Sequence, residues 1–267
     1  MSDTPIFDAL RDALREDLPV VLATVTAGPG LGAKLLARPV IGGAPVVMGT
    51  LGNADLDRVV TRDALGELDA GLTSVRHYGP HGEAREDTVS VFIESFSPPP
   101  RMIIFGAVDF TAALAKVAKV LGYAVVVCDA RPVFATVIRF PMADEVVNDW
   151  PDRYLAKVGE RLGAADAVCV LTHDAKFDVP AIVGALATDV GYLGAMGSRR
   201  THERRLVRLR EAGVTDAQVA TLRAPIGLDI GARTPEETAV SIAAEIITLR
   251  SGRDARALSD TSGPIHV

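Results

Sequence analysis

Cysteine is nearly missing from this 267-residue chain: Cys128 and Cys169 are its two, each inside an apolar run. Two isolated cysteines give neither a disulfide framework nor a metal-binding spacing, so both read as small buried side chains and no metal site is expected. Aromatic residues are scarce at 5%, against a hydrophobic fraction of 48%. The core must therefore be built from Val, Leu, Ile and Ala. An excess of positive charge is also missing, the formal net charge being -6. That removes any global attraction for nucleic acid or an anionic membrane and makes an anion site a local matter. No apolar run approaches the roughly 18 residues that span a bilayer. The opening Met-Ser-Asp-Thr-Pro lacks the basic and apolar segments of a signal peptide. These absences predict a cytoplasmic protein. Neither a Gly-x-Ser-x-Gly nucleophile turn nor a Walker lysine motif occurs.

What is present divides at Ser97-Pro98-Pro99-Pro100. Three prolines in a row continue neither a helix nor a central strand and make a stiff spacer. The expected layout is a smaller α+β domain over residues 1–97, a proline linker at 98–100, a second domain over 101–250 and a polar tail from 251 to 267. In the first domain, Ile6, Leu10 and Leu14 mark a helix over residues 4–17. Strands follow at 20–26, 34–38 and 45–49, the last two joined through Gly42-Gly43. Asn53 or Asp55 can cap a helix over 55–68. Strands at 74–78 and 88–96 complete a mostly antiparallel sheet.

Beyond the prolines, strands alternate with helices. Apolar runs at 102–105, 124–129, 167–172 and 191–196 are separated by helical stretches at 110–121, 152–162 and 179–187, with a short apolar segment at 144–147. A charged helix covers 199–212 and a short one 215–222. The last helix is marked by Thr234 as N-cap, Pro235 at its first position and Glu237 completing a capping box. Such βαβ alternation predicts a Rossmann-like, doubly wound parallel sheet.

Ligands of such sheets bind beyond the carboxyl ends of the strands. The first loop there, Gly106-Ala107-Val108-Asp109-Phe110-Thr111, keeps one glycine of the G-x-G-x-x-G phosphate turn. Val108 adds bulk, and Asp109 places a negative charge suited to capping but repulsive to phosphate. Asp129 stands at the distance that holds a ribose hydroxyl, so NAD(P) binding remains a competing reading; Arg131 could pair with that acid or reach a phosphate. Gly197-Ser198-Arg199-Arg200, between a strand and a helix, is the better anion site: Ser198 can cap, free N–H groups favour an anion, and Arg199 can add a bidentate contact. The later arginines, Arg204, Arg205, Arg208 and Arg210, read mostly as a solvated face. Thr172-His173-Asp174 and Asp178 follow a buried strand. His173 and Asp174 are candidates for proton transfer or metal binding, or for capping the next helix.

Two longer motifs carry a family resemblance. Gly194-Ala195-Met196-Gly197-Ser198-Arg199-Arg200 and Ala224-Pro225-Ile226-Gly227-Leu228-Asp229-Ile230-Gly231-Ala232-Arg233-Thr234-Pro235-Glu236-Glu237 resemble the XdhC/CoxI family, supported by Asp129-Ala130-Arg131-Pro132-Val133-Phe134-Ala135 and Leu171-Thr172-His173-Asp174. The resemblance covers residues 101–250 strongly and 1–97 weakly. It implies an accessory protein of molybdenum hydroxylases such as xanthine dehydrogenase, one that binds molybdenum cofactor (molybdopterin), assists its maturation and inserts it, as a chaperone rather than a catalyst. It also implies that Gly197–Arg200 and Gly227–Thr234, with Asp229, Gly231 and Arg233, flank the ligand. Two departures stand out: Val108-Asp109-Phe110 replaces a fuller glycine turn, and Gly49–Asp55 lacks the family's cysteine. The expected protein is a homodimeric insertion factor that contacts a hydroxylase subunit. The competing readings are an NAD(P)-dependent oxidoreductase and a ligand-free interaction module.

Overall fold

A computed structural model describes residues 4–40, 43–84, 86–172 and 174–262. Gly42, His173 and the tail beyond 262 thus lie outside the described residues. The chain divides into two compact units, Met1–Pro98 and Pro99–Val267.

The first unit holds α1 (Thr4–Arg15), β1 (Val20–Ala27), β2 (Lys34–Arg38), β3 (Val46–Thr50), α2 (Ala54–Ala70), β4 (Ser74–Tyr78) and β5 (Val89–Phe96). Its sheet runs β3-β2-β1-β5-β4, with antiparallel pairing throughout. Strand alternation sends Val21, Ala23, Val25, Val91 and Ile93 to one face, where α2 covers them with Leu56, Val60 and Ala64. α2 starts on Asn53, whose side chain accepts from the N–H groups of Asp55 and Leu56, and it ends on Gly71 in the left-handed region.

The second unit holds β6 (Arg101–Phe105), α3 (Asp109–Val120), β7 (Ala124–Cys128), β8 (Glu145–Val147), α4 (Pro151–Val158), β9 (Ala167–Val170), α5 (Ala175–Leu186), β10 (Tyr192–Ala195), α6 (Arg199–Glu211), α7 (Asp216–Val219) and α8 (Pro235–Ser251). All four pairings in its sheet are parallel, and the strand order is β10-β9-β6-β7-β8. The chain winds outward from β6 in one direction and then from β9 in the other. The switch point therefore lies between β6 and β9. Both sheet faces are covered, as parallel sheets require. Met102, Ile104, Val125 and Val127 pack against α3 and α8. Ile103, Phe105, Val126 and Val168 pack against α4, α5 and α6. Segment 223–226 extends the sheet past β10, with Gly194 bridging Arg223 in parallel, so that Ile226 N–H donates to the Ala195 carbonyl at 3.1 Å.

Two differences from the sequence reading bear on the carboxyl edge of the sheet. α5 begins at Ala175 rather than 179, with Asp174 as its N-cap, so Pro180 sits inside it and removes one interior helix hydrogen bond. At α3 the N-cap is Val108, with no side-chain cap, and Asp109 is the first helical residue. Val108 packs against the core, so the expected capping by Asp109 does not occur. Among the described residues no helix is long and apolar enough to cross a membrane.

Candidate functional site

The loops after β6, β7, β9 and β10 share the carboxyl edge of the sheet, but the structure gives them different work. At the switch point, Gly106 has φ +111, and a Cβ there would lie 2.9 Å from the backbone nitrogen of Thr172. Glycine is required because the β6 turn passes directly against the end of β9. The Asp129 carboxylate then closes this turn. One oxygen accepts from Arg131 N–H and Nε, each at 2.9 Å, and the other from Ala107 N–H at 2.8 Å and Arg131 Nη2 at 2.7 Å. Four hydrogen bonds use the acceptor capacity of a carboxylate. Burial would push Asp129 up, but the Arg131 guanidinium and the two backbone N–H groups outweigh it and hold the group below the ordinary carboxylate range. The Arg131 guanidinium lies 4.6 Å from the Phe134 ring centroid and 5.7 Å from that of Phe177. The space left among Phe105, Gly106, Asp129, Thr172 and Phe177 is about 10 Å³, roughly one water and far from a nucleotide. Gly106, Asp129 and Arg131 are thus brought together as a closed clamp.

Asp174 is the N-cap of α5, accepting from Lys176 N–H at 3.2 Å and pairing with Lys176 Nζ at 3.4 Å. Its neighbour His173 lies outside the described residues. Both cysteines are buried. Burial pushes the Cys128 thiol up to about 12 and raises that of Cys169 as well, so neither offers a thiolate. Among the described residues no group of three or more His, Cys, Asp or Glu could hold a metal ion.

The end of β10 is open. Ser198 caps α6, its hydroxyl accepting from Thr201 N–H at 3.1 Å, and the first turn of α6 carries no acidic residue. Ser198, Arg199 and Arg200 are exposed. Among the described residues, neither the Gly197 nor the Ser198 N–H has a protein acceptor. Two free donors, the positive end of a 13-residue helix and two arginines make a site that favours an anion. Beneath the turn lies a residue that the sequence pattern assigns to the solvated face. Arg205 is in fact 1% exposed. Its Nε and Nη2 both reach Asp178 of α5 at 3.0 Å, and Nη2 also donates to the Met196 carbonyl at 2.6 Å. Arg205 Nη1, Asp178 Oδ1 and His202 Nδ1 are buried without partners among the described residues. Burial and the nearby Arg205 charge hold His202 below its ordinary range. The sequence holds the arginine and the acid, but the 27-residue separation hides that they pair.

The Gly227 segment lies beside this turn, because Ile226 bonds Ala195 at the end of β10. Gly227 has φ +95, and its N–H donates to Glu245 at 2.8 Å; Glu245 also accepts from the Tyr192 hydroxyl at 2.6 Å. Asp229, Gly231 and Arg233 line the way to α8, where Arg233 N–H is taken by Glu237 at 2.7 Å. The Gly197 turn and the Gly227 segment thus leave the same edge of the sheet side by side, through the Ile226–Ala195 bond, whereas Asp129 and Arg131 follow a strand three spacings from β10, about 14 Å. A hollow of about 390 Å³ between α5 and α7 is lined by Ala185, Thr188, Gly191, Gln218 and Thr221 among others, none of them titratable.

Fold and edge define a Rossmann-type domain with a closed first turn and open backbone donors after its fifth strand. A family model described as the XdhC Rossmann domain matches residues 102–246, more than half of the chain. The chain belongs to the XdhC family. Over 165 residues it is 34% identical to a protein of Bacillus subtilis (strain 168) whose name makes it a probable xanthine dehydrogenase subunit; this match covers 62% of the present chain and 47% of the Bacillus one. It is 29% identical over 159 residues to the molybdenum cofactor insertion chaperone PaoD of Escherichia coli K12, covering 60% of this chain and 43% of that one. The uncharacterized Escherichia coli K12 protein YqeB is 27% identical over 267 residues, 97% of this chain and 49% of its own. The matches thus span less than half the length of each of these relatives. A crystal structure of a Bacillus halodurans protein described as a xanthine dehydrogenase superposes with TM-score 0.55 at 23% identity, covering 96% of this chain and 97% of that one; this likeness supports the fold.

Proposed function

We propose that this protein is an accessory factor of a molybdenum hydroxylase and holds molybdenum cofactor by its phosphate during maturation and insertion. The carrying observation is the α6 N-terminus, where the N–H groups of Gly197 and Ser198, without acceptors among the described residues, stand with Arg199 and Arg200 and without an acidic residue in the first turn. Family membership and the name of the PaoD relative support the same reading. The donor set fits the phosphate end of the cofactor, which when bound supplies the molybdenum centre that the hydroxylase uses. Gly197, Ser198 and Arg199 would hold that phosphate, and Gly227 would bound the site on its other side, with Asp229, Gly231 and Arg233 on the approach. No thiolate of this chain would touch the metal, since both cysteines are buried with raised pKa values. Dinucleotide binding at the switch point is disfavoured by the closed Asp129 clamp.

The test is to purify the protein from cells making the cofactor and to assay released pterin by fluorescence after oxidation. Wild type should carry pterin, and Arg199→Ala should lose most of it; pterin-free protein under saturating cofactor supply would overturn the reading. One observation favours the ligand-free interaction module instead. The β7–β8 loop exposes Val133 at 78%, Val137 at 68% and Ile138 at 92%, a patch suited to a protein partner. A pull-down of the hydroxylase separates the two: a complex that forms without cofactor and is lost in Ile138→Asp favours the module.

A further inference from the structure

We infer that the buried Arg205–Asp178 pair is the positioning device of the α6 anion site, holding the Met196–Gly197 peptide so that its N–H faces the ligand. This rests on the anion reading above and assigns how that site is kept in shape. The peptide is trans, since the one cis bond among the described residues is Ala224–Pro225. In a trans peptide the carbonyl and the N–H point in opposite directions. Arg205 Nη2 draws the Met196 carbonyl inward at 2.6 Å, so the Gly197 N–H is turned away from the Arg205 guanidinium. The same guanidinium sits against Gly197, whose added Cβ would lie 3.5 Å from Nη2, and Gly197 itself has φ +146.

Stability does not account for the pair. Replacing a buried ion pair by apolar residues of similar volume is often neutral or stabilising. Here the pair is imperfect as well, with Arg205 Nη1 and Asp178 Oδ1 both lacking partners among the described residues. What an apolar pair could not do is grip the Met196 carbonyl. Arginine suits this place because its planar fork serves Asp178 and the carbonyl together, which a lysine ammonium cannot do in the same geometry.

The experiment uses the full chain, with inorganic phosphate and pyrophosphate as probes. Affinity is followed by calorimetry, and the Gly197 amide by its NMR shift and hydrogen exchange. The double variant Arg205→Met with Asp178→Leu removes both charges together and avoids stranding either one; thermal unfolding confirms that it folds. It should bind pyrophosphate about tenfold or more weakly, as expected for a lost charge-assisted donor, and its Gly197 amide should be shifted before any ligand is added. Arg205→Lys should restore only part of the affinity. Arg199→Ala should weaken binding while leaving the free Gly197 amide unchanged, which separates a ligand contact from a positioning role. A folded double variant that binds pyrophosphate within about twofold of wild type, with an unmoved Gly197 amide, overturns the positioning role alone. Wild type that binds neither probe at millimolar concentration overturns the anion site and the inference with it.

Discussion

At the scale of single residues, Asp129 shows how a side chain suited to a ribose can be spent on the fold. Its carboxylate accepts four hydrogen bonds from Ala107 and Arg131, so its charge is structural. Because its folded pKa lies below the unfolded value, the clamp stabilises fully above about pH 4 and is lost as pH falls from there through the folded pKa. Asp129→Asn should therefore be less stable than wild type at neutral pH, with the two urea-unfolding free energies converging as pH drops below about 4. Parallel loss in both proteins would show that the clamp does not titrate. Gly106, in the same turn, is constrained twice, by φ +111 and by the close approach to Thr172. Gly122 also has positive φ, +84, but nothing lies within 4 Å of its added Cβ. Gly106→Ala should cost about 1–3 kcal/mol and more than Gly122→Ala. Chemical denaturation of the two variants isolates the part due to crowding.

Among the elements, α8 is the one most completely written in its own residues. Thr234 accepts from Glu237 N–H at 3.1 Å, while Glu237 accepts from Thr234 N–H at 3.1 Å, a reciprocal box visible in the sequence. Thr234→Ala should cost about 1 kcal/mol, measured by urea unfolding; Thr234→Ser should cost little. The parallel sheet is legible for a similar reason. Runs such as Met102–Phe105 and Ala124–Cys128 are apolar on both faces, which suits strands covered on each side. Legibility stops where an element depends on a distant one. Pro180 has the look of a boundary, yet α5 already runs through it from Ala175. Arg205 stands among charged neighbours, and nothing near it in the chain reveals that α5 brings Asp178 to its guanidinium. Segment 223–226 reads as loop because its pairing partner is β10, about 30 residues away along the chain. At the candidate site, then, the Ser198 cap is readable from local chemistry, whereas the buried support under it is not.

For the whole molecule, the distribution of cores sets what can be separated. The two clusters on either face of the parallel sheet are drawn from residues 102–246, and the two clusters of the antiparallel sheet from residues 6–96. Every residue of the α6 site, together with Arg205, Asp178 and the Gly227 segment beside it, belongs to the unit Pro99–Val267. If anion binding resides where we propose, it should need nothing from the first unit. A fragment of residues 99–267 should then fold cooperatively in urea, with near-ultraviolet dichroism of fixed tertiary packing. It should bind pyrophosphate within about threefold of the full chain, a difference of less than about 1 kcal/mol. A fragment that folds but has lost pyrophosphate binding would place part of the site in residues 1–98. A fragment that fails to fold would show that the two units depend on each other for stability, despite their separate cores.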